Sequence, residues 1–137
     1  MRVTAKEYLS QIKEHDRSLK KKLERLERLK SKATNSTVSL GSEGGSGIRK
    51  KDSLEDAIID YMEFEQEIEK EMDQLGQLKL KISEELDTLL DSREATILFH
   101  RYIELLEWNE VSHKVGWSIR TCHLLNNKGL ENFKSFR

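Results

Sequence analysis

Four side chains in the last third of the chain, His100, His113, Cys122 and His123, are of the types that ligate zinc. A zinc site needs such groups to converge, usually from spacings such as Cys-x-x-Cys or His-x-x-x-His. Neither spacing occurs, and Cys122 and His123 are chain neighbours that a helix points to opposite sides. The run Gly44-Gly45-Ser46-Gly47 invites comparison with a phosphate-binding loop, but no Gly-Lys-[Ser/Thr] follows it and no strand pattern precedes it. The carboxylates between Glu63 and Glu71 repeat along a helical period instead of converging with a base or nucleophile. The expectation is therefore a protein that is not an enzyme and holds no metal or cofactor.

A different set suits the reading of base edges in duplex DNA. On a helix that starts after Ser118, the residues Ile119, Arg120, His123, Leu124 and Asn127 share one face, while Cys122 and Leu125 share the other. Arg120 matches guanine O6 and N7, Asn127 a base or a phosphate, and Ile119 a thymine methyl. Lys114, Lys128, Lys134 and Arg137 are candidate phosphate contacts at the edges, although scattered lysines are also ordinary solvated surface. Two aliphatic residues on the outward face leave a protein-binding surface open beside a DNA-binding one.

The elements that must position this set are legible around Val115-Gly116-Trp117-Ser118. Before it, Trp108, Val111, Ser112 and Val115 fall at helical spacing; after it, Cys122, Leu125, Gly129, Leu130 and Phe133 form a second apolar stripe. Gly116 suits the left-handed position that ends a helix, and Ser118 is a good N-cap for the next. A preceding helix, about Ser92 to Glu104, supplies Ala95, Leu98, Phe99 and Tyr102 as cover. The pattern reads as a trihelical domain containing a helix-turn-helix.

Arg101-Tyr102, then Trp108 with Val111-Ser112, Gly116-Trp117-Ser118 and finally Leu130 with Phe133 make up a combined signature. In it the chain resembles the phage transcriptional regulators of the RinA/ArpU-like type, which join an N-terminal coiled coil to an end similar to sigma factor region 4. The opening stretch, residues 5–29, also resembles that family's first helix. The resemblance implies a DNA-binding transcriptional regulator, and it places Ile119, Arg120, His123 and Leu124 where that family meets the major groove. Leu124 departs from the polar residue usual there.

Composition agrees with long helices. The chain of 137 residues has no proline, few aromatics and 36% charged residues, which favours solvated helical surface over a large core. No apolar run approaches the roughly 18 residues of a membrane span, and the N-terminus lacks the apolar centre of a signal peptide, so a cytoplasmic protein of the bacterial host is expected. The single cysteine, Cys122, falls in a helix stripe and is expected to act as a small buried hydrophobe.

The net charge of -1 hides a strong asymmetry. Residues 1–50 carry 13 basic and 6 acidic side chains, residues 51–89 carry 4 and 13, and residues 90–137 carry 7 and 6. The nearly neutral last segment lacks the basic excess usual in a DNA-binding module.

In the basic segment, Thr4 and Glu7 make a helix start with Val3 and Tyr8 as a hydrophobic staple, and Leu9, Ile12, Leu19, Leu23 and Leu26 form a heptad-like stripe. In the acidic segment, Leu54, Ile58, Tyr61, Ile68, Met72, Leu75, Ile82, Leu86 and Leu89 form another. Residues 35–52, rich in Ser, Thr and Gly, read as a flexible linker between them. The expected fold is all-α: a long antiparallel helical hairpin over 1–90, of coiled-coil type, followed by a helix-turn-helix domain over 91–137. Two exposed seams predict a homodimer through the hairpin. The competing function is an adaptor or structural protein that binds RNA polymerase or another protein, with the helix-turn-helix kept for packing.

Overall fold

A computed structural model of the chain describes residues 3–42 and 47–135, with side chains at 3–32, 34 and 54–135. The described residues are all-helical, with no strand among them. The helices are α1 (Ala5–Leu9), α2 (Gln11–Ser42), α3 (Gly47–Leu86), α4 (Ser92–Leu98), α5 (Trp108–Val115) and α6 (Ile119–Asn132); a π-helical turn, Phe99–Ile103, continues α4. Helix occupies 35–42 and 47–52, most of the span in which a linker was expected, while 43–46 lie outside the described residues. Once a helix is nucleated each further residue adds a hydrogen bond, so propagation through Ser and Thr costs only a few tenths of a kcal/mol per residue.

The chain forms two compact units, one of residues 17–74 and one of residues 1–16 with 75–137. This division is not the expected one at residue 90. Leu9, Ile12, Leu75, Ile82 and Leu86 are all buried, and they belong with the C-terminal unit.

In the first of these units Ser18 and Lys22 of α2 meet Glu71 of α3, while Arg25 lies over Phe64. Leu19 and Ile68 are buried, with Leu26, Leu29, Leu54, Tyr61 and Phe64 partly covered. The stripes read from sequence need correction here: Leu23, Ile58 and Met72 are exposed, at 43%, 43% and 53%. Positions seven apart, such as 19 and 26 or 61 and 68, are where expected. Between them a helix of 3.6 residues per turn accepts a contact at either the third or the fourth residue. Both helices take the third, so Lys22 and Glu71 enter the seam in place of Leu23 and Met72. Their ion pair closes at 2.5 Å, with Glu71 only 14% exposed, and Lys22 also reaches Glu67 at 3.4 Å.

The other unit is built on caps as well as apolar burial. Thr4 accepts a hydrogen bond from Glu7 N–H at 3.1 Å and starts α1 as expected. Asp91 starts α4, accepting from Arg93 N–H at 2.9 Å. The Arg93 guanidinium and that N–H together hold the Asp91 carboxyl at about 2. Ile97, Val111, Cys122 and Leu125 form a buried cluster, flanked by Leu106, Trp108, Val115 and Trp117. Full burial of an aliphatic side chain contributes about 1.5–3 kcal/mol before entropy is counted, so this small cluster is the main stabilising term for α5 and α6. Gly129 of α6 lies against Leu98 and Glu94; a Cβ there would meet Leu98 Cδ1 at 3.0 Å, which accounts for a residue without a side chain.

The N-terminal helices are fastened to the same core. Tyr8 packs on Phe133 with ring centroids 6.0 Å apart and donates its hydroxyl to Glu85 at 2.5 Å. Ser135 hydrogen-bonds Thr88 at 2.5 Å and donates to the Glu85 carbonyl at 3.3 Å. No helix among the described residues is long and apolar enough to cross a membrane.

Candidate functional site

Helix α5 begins at a reciprocal cap in which Glu107 N–H donates to Glu110 at 3.1 Å. It ends at Gly116, whose φ of 77° is the left-handed conformation that costs an L-residue about 1–2 kcal/mol. The Ser112 hydroxyl donates to the Trp117 carbonyl at 2.5 Å and holds the connecting turn closed. Ser118 then caps α6, accepting from Thr121 N–H at 3.1 Å and donating to the Thr121 hydroxyl at 2.9 Å. The turn chemistry read from the sequence therefore stands, and it occupies the Ser118 hydroxyl within the protein.

Helix α6 divides into two faces. Cys122, Leu125, Asn126 and Gly129 are buried; Ile119, Arg120, His123, Leu124, Asn127 and Lys128 are exposed. Burial pushes the Cys122 thiol up. Ile119 and Leu124 are 42% and 55% exposed, so the outward face carries two aliphatic groups beside Arg120 and Asn127.

The sequence-derived site residues do not all stay available. Lys114 pairs with Glu104, with its ammonium 3.2 Å and 3.3 Å from the two carboxylate oxygens. His100 Nδ1 binds the same carboxylate, and these partners, His100 first, hold Glu104 below the usual carboxylate range. His123 lies on the indole of Trp108, with ring centroids 4.2 Å apart. Arg120, Asn127 and Lys128 remain exposed.

Residues that the sequence reading did not assign to the site, Arg101 among them, complete the surroundings. The π turn Phe99–Ile103 is followed by Leu105 at φ 59°, a left-handed conformation on a residue other than glycine. From this turn Arg101 donates to the Leu106 carbonyl at 2.9 Å and lies 4.8 Å over the Trp108 ring. Together with Tyr102, Leu105, His123, Asn126 and Asn127, it lines a cavity of about 330 Å³ that Lys6 and Lys13 also border. Burial raises the Tyr102 hydroxyl pKa, and a hydrogen bond from Asn126 works against the shift. Lys6 and Lys13 are seven residues apart, two helical turns, which was the one signal in the sequence that they share a side.

His, Cys, Asp and Glu side chains do not gather in groups of three that could hold a metal ion among the described residues. Cys122 is buried in the core while His123 is exposed, so the neighbouring pair does point two ways. Compared with protein-family models, curated proteins and solved structures, the chain matches none.

Proposed function

We propose that the protein is a DNA-binding regulator of transcription of the phage type, with α5 and α6 as a helix-turn-helix and the N-terminal half of α6 entering the major groove. The observation that carries this reading is the division of α6: Cys122 and Leu125 anchor it in the core while Arg120, His123, Asn127 and Lys128 are presented together on the opposite side. Arg120 is the reader of guanine, and Lys128 is a phosphate contact. Ser118 serves as the cap that orients the helix, and Lys114, held by Glu104, contributes less than its charge suggests.

The same reading takes α2 and α3 as a helical hairpin and two copies as the working unit, joined through it. Exposed Ile58, Ile59 and Met62 on α3 support an apolar contact with a second copy. Light scattering at micromolar concentration should then return twice the chain mass.

The test of DNA reading is Arg120→Ala. Fragments selected from genomic DNA by the purified protein provide the duplex, and fluorescence anisotropy the affinity. Arg120→Ala should weaken the selected site by about 1–3 kcal/mol and relax preference at one base pair, while Lys128→Ala weakens all duplexes alike. Circular dichroism should report unchanged folding for both. A folded Arg120→Ala protein that binds DNA as well as wild type would overturn the assignment. It would favour instead a protein partner such as RNA polymerase, for which exposed Ile119 and Leu124 are the supporting observation.

A further inference from the structure

The cavity beside α6 has a lining unlike the rest of the surface. Lys6 and Lys13 come from the N-terminal helices, Arg101 from the π turn, and His123, Asn126 and Asn127 from α6. Among the described residues the only acidic one on its wall is Glu107, which is committed to the α5 cap and lies 3.8 Å from Arg101. Neither lysine has an ion-pair partner among the described residues. Three cationic groups thus face one space from different elements, in a unit that carries 12 basic and 12 acidic side chains in all.

Two further observations single out this cavity. Asn126, on its wall, is 7% exposed, yet its Oδ1 has no hydrogen-bond partner among the described residues. Buried amide oxygens are nearly always paired, because the lost hydration is otherwise uncompensated. The wall also contains the π turn and left-handed Leu105, irregularities that concentrate where a backbone is shaped to a ligand.

We propose that this cavity binds a phosphate group. Cations arriving from three directions suit a tetrahedral anion better than a planar carboxylate, and Arg101 is already fixed by the Leu106 carbonyl and the Trp108 ring. Lys6 and Lys13 neutralise the charge, and Arg101 and Asn127 donate to phosphate oxygens. Two sources share this chemistry. One is a phosphodiester of the DNA strand lying beside α6, a source that rests on the function proposed above. The other is a small phosphate ester, which does not.

The experiment uses the full chain, inorganic phosphate and the selected duplex, with chloride to hold ionic strength constant. Three double variants are compared: Lys6→Ala with Lys13→Ala, Lys6→Arg with Lys13→Arg, and, outside the cavity, Lys21→Ala with Lys32→Ala as a control of equal charge loss. In wild type, inorganic phosphate should shift the Asn126 side-chain amide and His123 ring resonances saturably. The cavity alanine pair should weaken that binding by about tenfold, while the arginine pair and the control pair retain it.

If the phosphate comes from DNA, the cavity alanine pair should also lower the slope of log affinity against log salt by about one, and the control pair should not. Saturable phosphate binding with an unchanged DNA slope assigns the cavity to a small phosphate ester. Phosphate binding by a protein that binds no duplex would sink the DNA reading and leave the cavity proposal standing. Duplex binding that depends on Arg120, with no saturable phosphate effect and equal salt slopes for the cavity and control pairs, overturns the cavity proposal alone.

Discussion

His123 rests on the indole of Trp108, ring centroids 4.2 Å apart and planes inclined by 40°, and the same indole receives the Arg101 guanidinium at 4.8 Å. A residue on the outward face of α6 is therefore held by a residue at the start of α5. The pairing fixes the imidazole in one orientation, which lowers the entropy it must lose on meeting a ligand.

The His123 ring protons should accordingly resonate upfield of those of exposed His113, shielded by the indole current. In Trp108→Leu the shift should vanish. That substitution also opens space beside Val111 and Cys122 and should cost about 1–3 kcal/mol in urea unfolding. An unshifted His123 in wild type would contradict the stack.

Gly116 and Gly129 are needed for different reasons, and alanine separates them. At Gly116 nothing lies within 4 Å of a new Cβ, so the cost is backbone strain alone, about 1–2 kcal/mol, and Gly116→Asn should recover part of it. At Gly129 the φ is ordinary but the new carbon meets Leu98 and Glu94, so Gly129→Ala should cost about 1–3 kcal/mol through overpacking. Leu98→Ala should rescue only the second. Chemical denaturation of the two single and two double variants checks this.

Lys22 and Glu71 form a polar layer in an apolar seam. Removing one partner takes from the other its closest ion pair, leaving Lys22 only the longer contact to Glu67 or Glu71 without its ammonium, so Lys22→Ala and Glu71→Ala should each destabilise. A double-mutant cycle should show coupling of about 0.5–1 kcal/mol, screened by salt. Replacing both by leucine should leave stability equal or higher while weakening the register between α2 and α3, visible as altered cross-linking between cysteines placed at 25 and 64. Loss of stability in the double leucine variant would count against this view of the layer.

Alkali should loosen the unit that contains Tyr8. Burial, with the Glu85 hydrogen bond and charge adding to it, pushes the Tyr8 hydroxyl up from 10.0 to about 12. The folded form thus keeps its proton where the unfolded chain has lost it. The contribution is full below pH 10 and is lost as pH rises from 10 through 12. Tyr8→Phe should be less stable at neutral pH by about 0.5–1.5 kcal/mol, and its stability should fall less steeply across that window. Melting curves between pH 9 and 12, with tyrosinate absorbance followed in parallel, decide it.

What the sequence determined by itself about this protein is its local chemistry. The absence of proline and the apolar periods imply helices; Thr4 and Ser118 cap two of them and Gly116 ends another, because a cap is settled within four residues of chain. The two faces of α6 were equally legible, since 3.6 residues per turn separates Cys122 from His123 whatever surrounds them. The tertiary structure alone decided matters that local spacing leaves degenerate. Leu23 or Lys22, Met72 or Glu71 are equivalent choices along one helix, and only the facing helix selects between them. The π turn at Phe99–Ile103 has no sequence signature of its own, and the commitment of Lys114 to Glu104 depends on how that turn ends. Lys6 and Lys13 stand 95 and 88 residues from Arg101, and their meeting at one cavity follows from Tyr8 packing on Phe133, a long-range contact that no periodicity encodes.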